Sequence, residues 1–322
     1  MLRKFLVFGL VSVFLLSCGK PDTGSELPPP AGYVEIENGA GGPGTKNWTS
    51  EIISEGLVLH TFKGLDEITN GHQNVFVLDV DMSKSRYRMA FHVIPNASNN
   101  TVASEIAKST GAVAVLNATY ERGSVFIKSE GRIYHNIQND LISDAVDNWK
   151  NDGAIYMDEN GKISIEHSGK DKTLAKQRTY YRAHSCPNIF SSAPMLIDNY
   201  KPVGESFVPM EMSEKGFEDN YHYEHPYRHQ GVTHPRTAVA LTKDNHLLLI
   251  AIDKDRTNLT VEGMTAKKVT QFLRYHFDPQ YALNMDGGGS TTLCINGKVV
   301  NTPSGGTERT LPTFFVLYDD KK

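Results

Sequence analysis

The chain has 322 residues and a formal net charge of -4 at pH 7, with 39% hydrophobic and 22% charged residues. A chain of this length and composition can bury a large core, which predicts a globular protein. Its charges of both signs are interspersed, so it has no basic surface of the kind that neutralises a nucleic-acid backbone. We therefore expect no nucleic-acid partner.

The N-terminus has the pattern of a secretion signal. Arg3 and Lys4 precede an apolar run over residues 5–16 that is too short to span a bilayer as a permanent helix. The run ends in Leu-Leu-Ser-Cys-Gly at residues 15–19, which resembles a bacterial lipobox, and Cys18 would be the lipidated residue. Residues 19–47 are rich in Pro, Gly and Ser, as in a flexible tether.

These features predict the domain organisation and the location. We expect a lipoprotein signal peptide over residues 1–18, a tether over residues 19–47 and a single folded domain over residues 48–322. The expected location is the bacterial cell envelope, where a lipid would anchor the protein to a membrane, in the periplasm or at the outer-membrane surface.

Short apolar runs recur from residue 54 onward and predict a protein built mainly of strands. Several are joined by turn signals, among them Asn160-Gly161, Lys243-Asp244-Asn245 and Asn296-Gly297, so neighbouring strands should pair as hairpins. Two helices are predicted, one ending at Gly111 and one ending before Pro279. The expected fold class is α+β, with a central, mostly antiparallel sheet flanked by a few helices.

Residues 205–235 have no periodicity and predict a long surface excursion, of the kind that often forms a lid or a binding element. Pro226 argues against a helix that would align the four histidines of this segment, and no Cys or carboxylate cluster completes a metal site, so we expect no bound metal. Its three tyrosines either offer flat faces to sugar rings or pin the excursion to the body. Elsewhere, Cys186 and Cys294 either pair or are both buried thiols.

Asp286 and the three glycines that follow it are the most informative stretch. Asp286 follows an apolar run, so it should project from a strand end, and Gly287, Gly288 and Gly289 can turn successive N–H groups toward an anion. A plain hairpin turn is the alternative, since Asp-Gly is a favoured two-residue loop. The hydroxyl of Ser290 favours the anion site, because a mere turn needs no further donor.

Matching chemistry lies in two other segments. Residues 234–253 predict a hairpin that places Arg236 and Asp253 at the same edge of the sheet. A second glycine turn precedes Glu308 and Arg309 just before the last strand. Two arginines, a glycine nest and several carboxylates suit a phosphorylated sugar, since Arg binds phosphate oxygens through two parallel hydrogen bonds.

These motifs resemble the phosphodiester glycosidase family. The matching pieces are Arg-Thr-Ala-Val at residues 236–239, Asp253 on the return strand, Asn-Met-Asp-Gly-Gly-Gly-Ser-Thr at 284–291 and Ser-Gly-Gly-Thr-Glu-Arg at 304–309. The resemblance extends over most of residues 75–318. One corner departs from it: the family usually has Asn-Gly-Gly followed by an aromatic pair, whereas Asn117 here precedes Ala-Thr-Tyr.

The resemblance implies hydrolysis of a sugar-1-phosphodiester that releases the sugar and leaves the phosphate on its other alcohol. The expected partner is thus a phosphodiester-linked sugar or glycan, no cofactor is required, and a structural divalent ion stays open. The alternative is a lipid-anchored glycan-binding protein without catalysis. The predicted catalytic residues are Asp286 as nucleophile or general base, Asp253 or Glu308 as its partner, and Arg236. The predicted substrate-binding residues are Arg309, Gly287, Gly288, Gly289, Ser290, Thr237, Asn117 and Tyr120.

Overall fold

A computed structural model describes residues 33–35, 41–44, 46–137, 149–168, 174–255, 257 and 260–321. The predicted signal peptide and its Cys18 lie outside these residues. In chain order the strands are β1 (Tyr33–Glu35), β2 (Gly41–Pro43), β3 (Trp48–Ser54), β4 (Leu57–Asp66), β5 (Gly71–Asp81), β6 (Tyr87–Val93), β7 (Ala114–Asn117), β8 (Ile127–Ser129), β9 (Arg132–His135), β10 (Gly153–Met157), β11 (Ile163–His167), β12 (Asn188–Ser192), β13 (Met195–Asp198), β14 (Arg236–Leu241), β15 (His246–Ile252), β16 (Tyr281–Asn284), β17 (Leu293–Ile295), β18 (Lys298–Val299) and β19 (Thr313–Asp319).

The helices are α1 (Ala103–Thr110), α2 (Leu174–Ala183), α3 (Glu214–Asn220), α4 (Pro226–Gly231) and α5 (Ala266–His276). Short 3-10 helices form at Ala97–Asn99, Trp149–Asn151, Val203–Ser206 and Gly288–Ser290. No helix in the described part of the chain is both long enough and apolar enough to cross a membrane.

The strands form three large antiparallel sheets. The largest has seven strands in the order β13-β16-β14-β15-β5-β4-β3, and the two others have five, in the orders β18-β17-β7-β19-β6 and β11-β10-β12-β8-β9. β1 and β2 pair with each other within the segment predicted to be a tether. The prediction of an α+β fold with a mostly antiparallel sheet is confirmed.

The turn signals produce the predicted hairpins, because their residues adopt the backbone conformations that tight turns require. β14 pairs with β15 across the turn at Asn245, which has a φ of 64°, and Arg236 lies opposite Ile252. β17 pairs with β18 across Asn296 and Gly297, which both have positive φ. Both ends of the β14–β15 hairpin therefore lie at one sheet edge, as predicted.

Both predicted helices are present with the expected ends. Gly111 follows α1 in the left-handed conformation, with a φ of 70°, and its N–H donates to the carbonyl of Ala107. The face of α5 that carries Val269, Phe272, Leu273 and His276 is buried.

The seven-stranded sheet separates two parts of the core, because alternate residues of a strand point to opposite faces. Val239 and Leu249 belong to a cluster shared with both five-stranded sheets, whereas Ala238 and Ile250 pack toward α5. This burial on both faces fixes the central strands. The ends of β14 and β16 are therefore rigid supports for the residues that follow or precede them.

The excursion over residues 205–235 contains α3 and α4. Pro226 is the first residue of α4, a position where its missing N–H costs nothing, and the side chain of His225 caps this helix. His229 thus lies in α4, while His222 and His225 precede it. Among the described residues no three His, Cys, Asp or Glu side chains are grouped so as to hold a metal ion. Cys186 is partly exposed and Cys294 is buried, and both are unpaired thiols.

Candidate active site

Asp286 is held by its backbone on both sides. It lies two residues beyond the end of β16, and the N–H of the preceding Met285 donates to the carbonyl of Thr237 at 2.8 Å. The N–H of Asp286 donates to the carbonyl of Ala118 at 3.1 Å, and its own carbonyl accepts from Nδ2 of Asn117 at 2.6 Å. These bonds tie it to the seven-stranded sheet and to the segment after β7.

The three glycines are needed for three different reasons. A Cβ at Gly287 would lie 2.6 Å from the carbonyl oxygen of Pro235, so only glycine permits this close backbone approach. Gly288 has a φ of +61°, a conformation that side chains disfavour. A Cβ at Gly289 would lie 2.3 Å from Nη2 of Arg309. The triple glycine therefore combines a tight turn with two close approaches.

The predicted nest of N–H groups is partly used by the protein itself. The N–H of Gly288 donates to the carbonyl of Pro235 at 2.8 Å. The N–H groups of Ser290 and Thr291 donate to the carbonyls of Gly287 and Gly288, which closes the short 3-10 helix. The N–H groups of Gly288, Ser290 and Thr291 are therefore not available to an anion.

Arg309 and Ser290 are the polar side chains at the turn. The Arg309 side chain is exposed, lies against Gly289 and donates from Nη1 to Oγ of Ser290 at 3.3 Å. Ser290 in turn hydrogen-bonds the carboxylate of Asp286. The three residues thus form one connected polar group.

The carboxyl group of Asp286 titrates near neutrality. Asp286 is partly exposed as a residue. The surrounding protein nevertheless desolvates its carboxyl group, and this burial raises the pKa to about 7. The Ser290 hydrogen bond opposes the shift, the negative charge of Glu121 adds to it, and the positive charges of Arg309 and Lys150 oppose it. Asp286 can therefore gain or lose a proton close to neutral pH.

Arg236, the second predicted arginine, is buried and bonded to protein groups. Its guanidinium donates to the carbonyls of Met264, His229 and Val232 and to Oε1 of Gln230, at 2.7 to 3.1 Å. Burial lowers its pKa to about 10, so it remains charged at neutral pH. These bonds join the start of β14 to α4 and its C-terminal end.

Asp253 and Glu308, the predicted partners of Asp286, also bind the protein. Asp253 is buried and accepts from Nδ2 of Asn301 at 3.0 Å and from the N–H of Thr302 at 2.9 Å, while burial raises its pKa to about 6. Glu308 accepts from the N–H of Ser104 at 3.0 Å, in the first turn of α1. Each carboxylate holds a loop or a helix end in place.

The remaining predicted contacts form the frame of the site. Asn117 accepts through Oδ1 from Oγ1 of Thr237 at 2.9 Å and from the N–H of Thr292 at 3.0 Å. The buried hydroxyl of Tyr120 donates to the carbonyl of Ala193 at 2.9 Å and accepts from Nδ2 of Asn284 at 3.1 Å. These residues position Asp286 and the glycine turn.

Sequence reasoning missed a charged cluster beside Asp286. The buried Lys150 donates to Oε1 of Glu121 at 2.5 Å and to Oε2 of Glu224 at 2.8 Å. Nothing in the spacing of Lys150 or Glu224 marks them as partners. Glu121, however, directly follows the Asn117 to Tyr120 corner where the sequence departs from the family pattern, and that position was the available signal.

The excursion contributes aromatic side chains near this cluster. The ring of His229 lies 5.1 Å from that of Trp149 and 5.6 Å from that of Tyr223, and burial holds the pKa of His229 well below its usual value. Tyr221 packs against His225 and Tyr227, which are both within the excursion itself. Tyr223 is 51% exposed, so it is the tyrosine available to a ligand.

Comparisons with known proteins show the family and the fold of the chain. The family model described as phosphodiester glycosidase matches residues 104–318, more than half of the chain. The fold is similar to the zebrafish N-acetylglucosamine-1-phosphodiester alpha-N-acetylglucosaminidase catalytic domain auto-inhibited by its pro-peptide, with a TM-score of 0.56 and 16% identity over 89% of this chain and 86% of that chain.

Two further solved structures share the fold. A hypothetical protein from Synechocystis has a TM-score of 0.55 and 12% identity over 85% of this chain and 64% of its own. A putative exported protein from Burkholderia pseudomallei has a TM-score of 0.54 and 13% identity over 77% of this chain and 74% of its own. No curated protein matches the chain.

Proposed function

Because the chain belongs to the phosphodiester glycosidase family, we propose that it hydrolyses a sugar-1-phosphodiester at the anomeric carbon. The products are the free sugar and a phosphate monoester of the other alcohol. The observation that carries this proposal is the connected group of Asp286, Ser290 and Arg309: a rigidly held carboxyl with a pKa of about 7 beside an exposed guanidinium.

The leaving group explains why one exposed arginine suits this reaction. Ordinary glycosidases need a protonated carboxylic acid because an alkoxide leaves poorly. A phosphate monoester is a far better leaving group, since its second pKa is about 6. Arg309 pairs with two phosphate oxygens and stabilises the charge that develops as the phosphate departs.

Asp286 assists attack at the anomeric carbon as general base or as nucleophile. As a base it takes a proton from water while the water oxygen bonds to the anomeric carbon and the bond from that carbon to the phosphate oxygen breaks. The electron pair of the broken bond leaves with the phosphate, and Asp286 then returns its proton to solvent. A base with a pKa near the working pH is suited to this step.

Arg236 supports the site in this proposal without contacting the phosphate. Its four hydrogen bonds to protein acceptors hold the end of α4 against the start of β14. Because Gln230 also bonds the hydroxyl of Tyr120 at 3.2 Å, the arrangement extends to the segment beside Asp286. We assign Arg236 a positioning role and Arg309 the phosphate contact.

The site acts at the bacterial cell envelope in this proposal, with the protein anchored through a lipid on Cys18. The support is the N-terminal sequence, in which a short apolar run ends in a lipobox-like stretch. Metabolic labelling with a fatty acid tests the anchor: the parent chain should carry label, and Cys18→Ala should not.

The reaction is tested by incubating the protein with a panel of sugar-1-phosphodiesters and measuring free sugar and sugar phosphate separately. The parent should release free sugar, and Asp286→Asn, which keeps the volume of the side chain, should be slower by about 100-fold or more. Sugar phosphate as the product would contradict the proposal. Saturable binding of the diesters without any product would favour the glycan-binding alternative.

A further inference from the structure

Lys150 is a buried cation that is stabilised by two carboxylates from different parts of the chain. Its side chain is 3% exposed, whereas those of Glu121 and Glu224 are 56% and 38% exposed. A buried ammonium group is costly unless it is paired and hydrogen-bonded. Lys150 therefore holds each of the two glutamates at a defined place, although both reach solvent.

Glu121 lies on the segment that supports Asp286. The carbonyl of Ala118, three residues earlier, accepts from the N–H of Asp286 at 3.1 Å. Nζ of Lys150 lies 5.2 Å from the centre of the Tyr120 ring, so the ammonium group packs against the residue next to Glu121. Glu121 is accordingly a solvent-facing carboxylate at the same corner as Asp286.

The carboxylates that the sequence suggested as partners of Asp286 are committed elsewhere. Asp253 accepts from Asn301 and Thr302 in the interior, and Glu308 accepts from Ser104 at the start of α1. Glu121, in contrast, has Lys150 on one side and solvent on the other. Of the three, Glu121 is the carboxylate whose charge is among the main influences on the pKa of Asp286.

We propose that Glu121 is the second carboxylate of this site and the functional partner of Asp286, and that the buried Lys150 holds it in position. This inference rests on the proposed function. Glu121 acts through Asp286, since its negative charge makes Asp286 a stronger base toward the attacking water, so it is a positioning residue. Glu224 anchors the other side of Lys150 to the excursion.

The direction of the effect follows from the charges around Asp286. Glu121 disfavours the carboxylate form of Asp286, while Arg309 and Lys150 favour it. The other titratable groups around Asp286, Arg309 and Lys150 are Tyr120, Arg236, His229 and Glu224. Removing the charge of Glu121 should therefore lower the pKa of Asp286, and removing that of Lys150 should raise it.

The test is a 13C NMR titration of the Asp286 carboxyl carbon in the full-length protein, with the signal assigned by its loss in Asp286→Asn. In Glu121→Gln the titration midpoint should fall by about 0.5 to 1 pH unit, and in Lys150→Met it should rise by a similar amount. Glu224→Gln is the matched control, because it removes the other partner of Lys150, and its midpoint should stay within about 0.2 pH unit of the parent.

An unchanged or higher midpoint in Glu121→Gln would overturn the inference, as would equal shifts in Glu121→Gln and Glu224→Gln. Circular dichroism of each variant checks that the fold is intact, and Glu121 is exposed enough for its variant to fold. The titration needs no turnover, so it separates this inference from the proposed reaction. If the parent hydrolyses a diester, the rising limb of kcat/KM against pH should move with the NMR midpoint.

Discussion

The guanidinium of Arg309 lies so close to Gly289 that a Cβ on this residue would be 2.3 Å from Nη2. The absence of a side chain is therefore what lets the exposed arginine rest on the turn beside Asp286. Ser290 completes the relationship, because it accepts from Arg309 and hydrogen-bonds Asp286. The glycine turn, the carboxyl group of Asp286 and the guanidinium of Arg309 are thus connected through Ser290.

Gly289→Ala should lower activity more than stability. The added methyl group displaces the far end of the Arg309 side chain, which is flexible and exposed, so the free energy of unfolding should change by less than about 1 kcal/mol. The misplaced guanidinium should reduce kcat/KM roughly 10-fold or more. Gly305→Ala is the control, since its Cβ would meet no atom closer than 3.9 Å. Equal kcat/KM in parent and Gly289→Ala would show that Arg309 is not positioned for the reaction.

The two arginines should differ in what their loss affects. Arg309→Lys keeps the charge but loses the paired hydrogen bonds to phosphate, so kcat/KM should fall about 10- to 100-fold with unchanged stability. Arg236→Met leaves several buried acceptors without their donor and should cost about 3 kcal/mol or more of unfolding free energy. Urea unfolding and kinetics of both variants check this. Stability loss in Arg309→Lys, or none in Arg236→Met, would reverse the two roles.

Activity should rise with pH through neutrality. In the proposed mechanism Asp286 acts in its ionised form, and burial raises its pKa to about 7, so the active fraction of the protein should increase as pH passes that value. The measurement is kcat/KM from pH 5 to 9 on a substrate whose own phosphodiester does not titrate there. A profile that falls between pH 6 and 8 would mean that the protonated form of Asp286 is the active one.

The same carboxyl group should lower the free energy of unfolding as the pH rises. Its pKa is raised above the unfolded value, so the unfolded state releases the proton first and stability decreases as pH rises from about 4 to 7. Asp286→Asn removes this cost and should be more stable than the parent at pH 8, by about 2 kcal/mol, and closer to it at pH 4. Chemical denaturation at the two pH values measures the difference. A variant less stable than the parent at pH 8 would mean that burial does not disfavour the carboxylate.

Local patterns predicted the elements and the place of Asp286. Asn296, Gly297 and Gly111 have positive φ, which most other residue types adopt only with strain. The turns and the helix end at these residues could therefore be predicted from the sequence. The position of Asp286 just beyond β16 follows from the apolar run before it.

The hydrogen-bond partners of the site residues could not be predicted from local sequence patterns. The acceptors of Arg236 come from α4 and its end, within an excursion that has no periodicity. Lys150 reaches partners 29 and 74 residues away in the chain, and nothing local encodes such pairs. A motif locates charged residues at a sheet edge, but burial and long-range contacts decide which of them face the ligand.

Hydrolysis in water enriched in 18O tests the central claim most directly, because it shows which bond the enzyme breaks. Attack at the anomeric carbon transfers the water oxygen to the sugar, so mass spectrometry should find the phosphate monoester without label. The monoester is the product to read, since free sugars exchange their anomeric oxygen with water. A phosphate monoester that carries one 18O atom would mean that water attacks phosphorus, and this result would contradict the glycosidase mechanism.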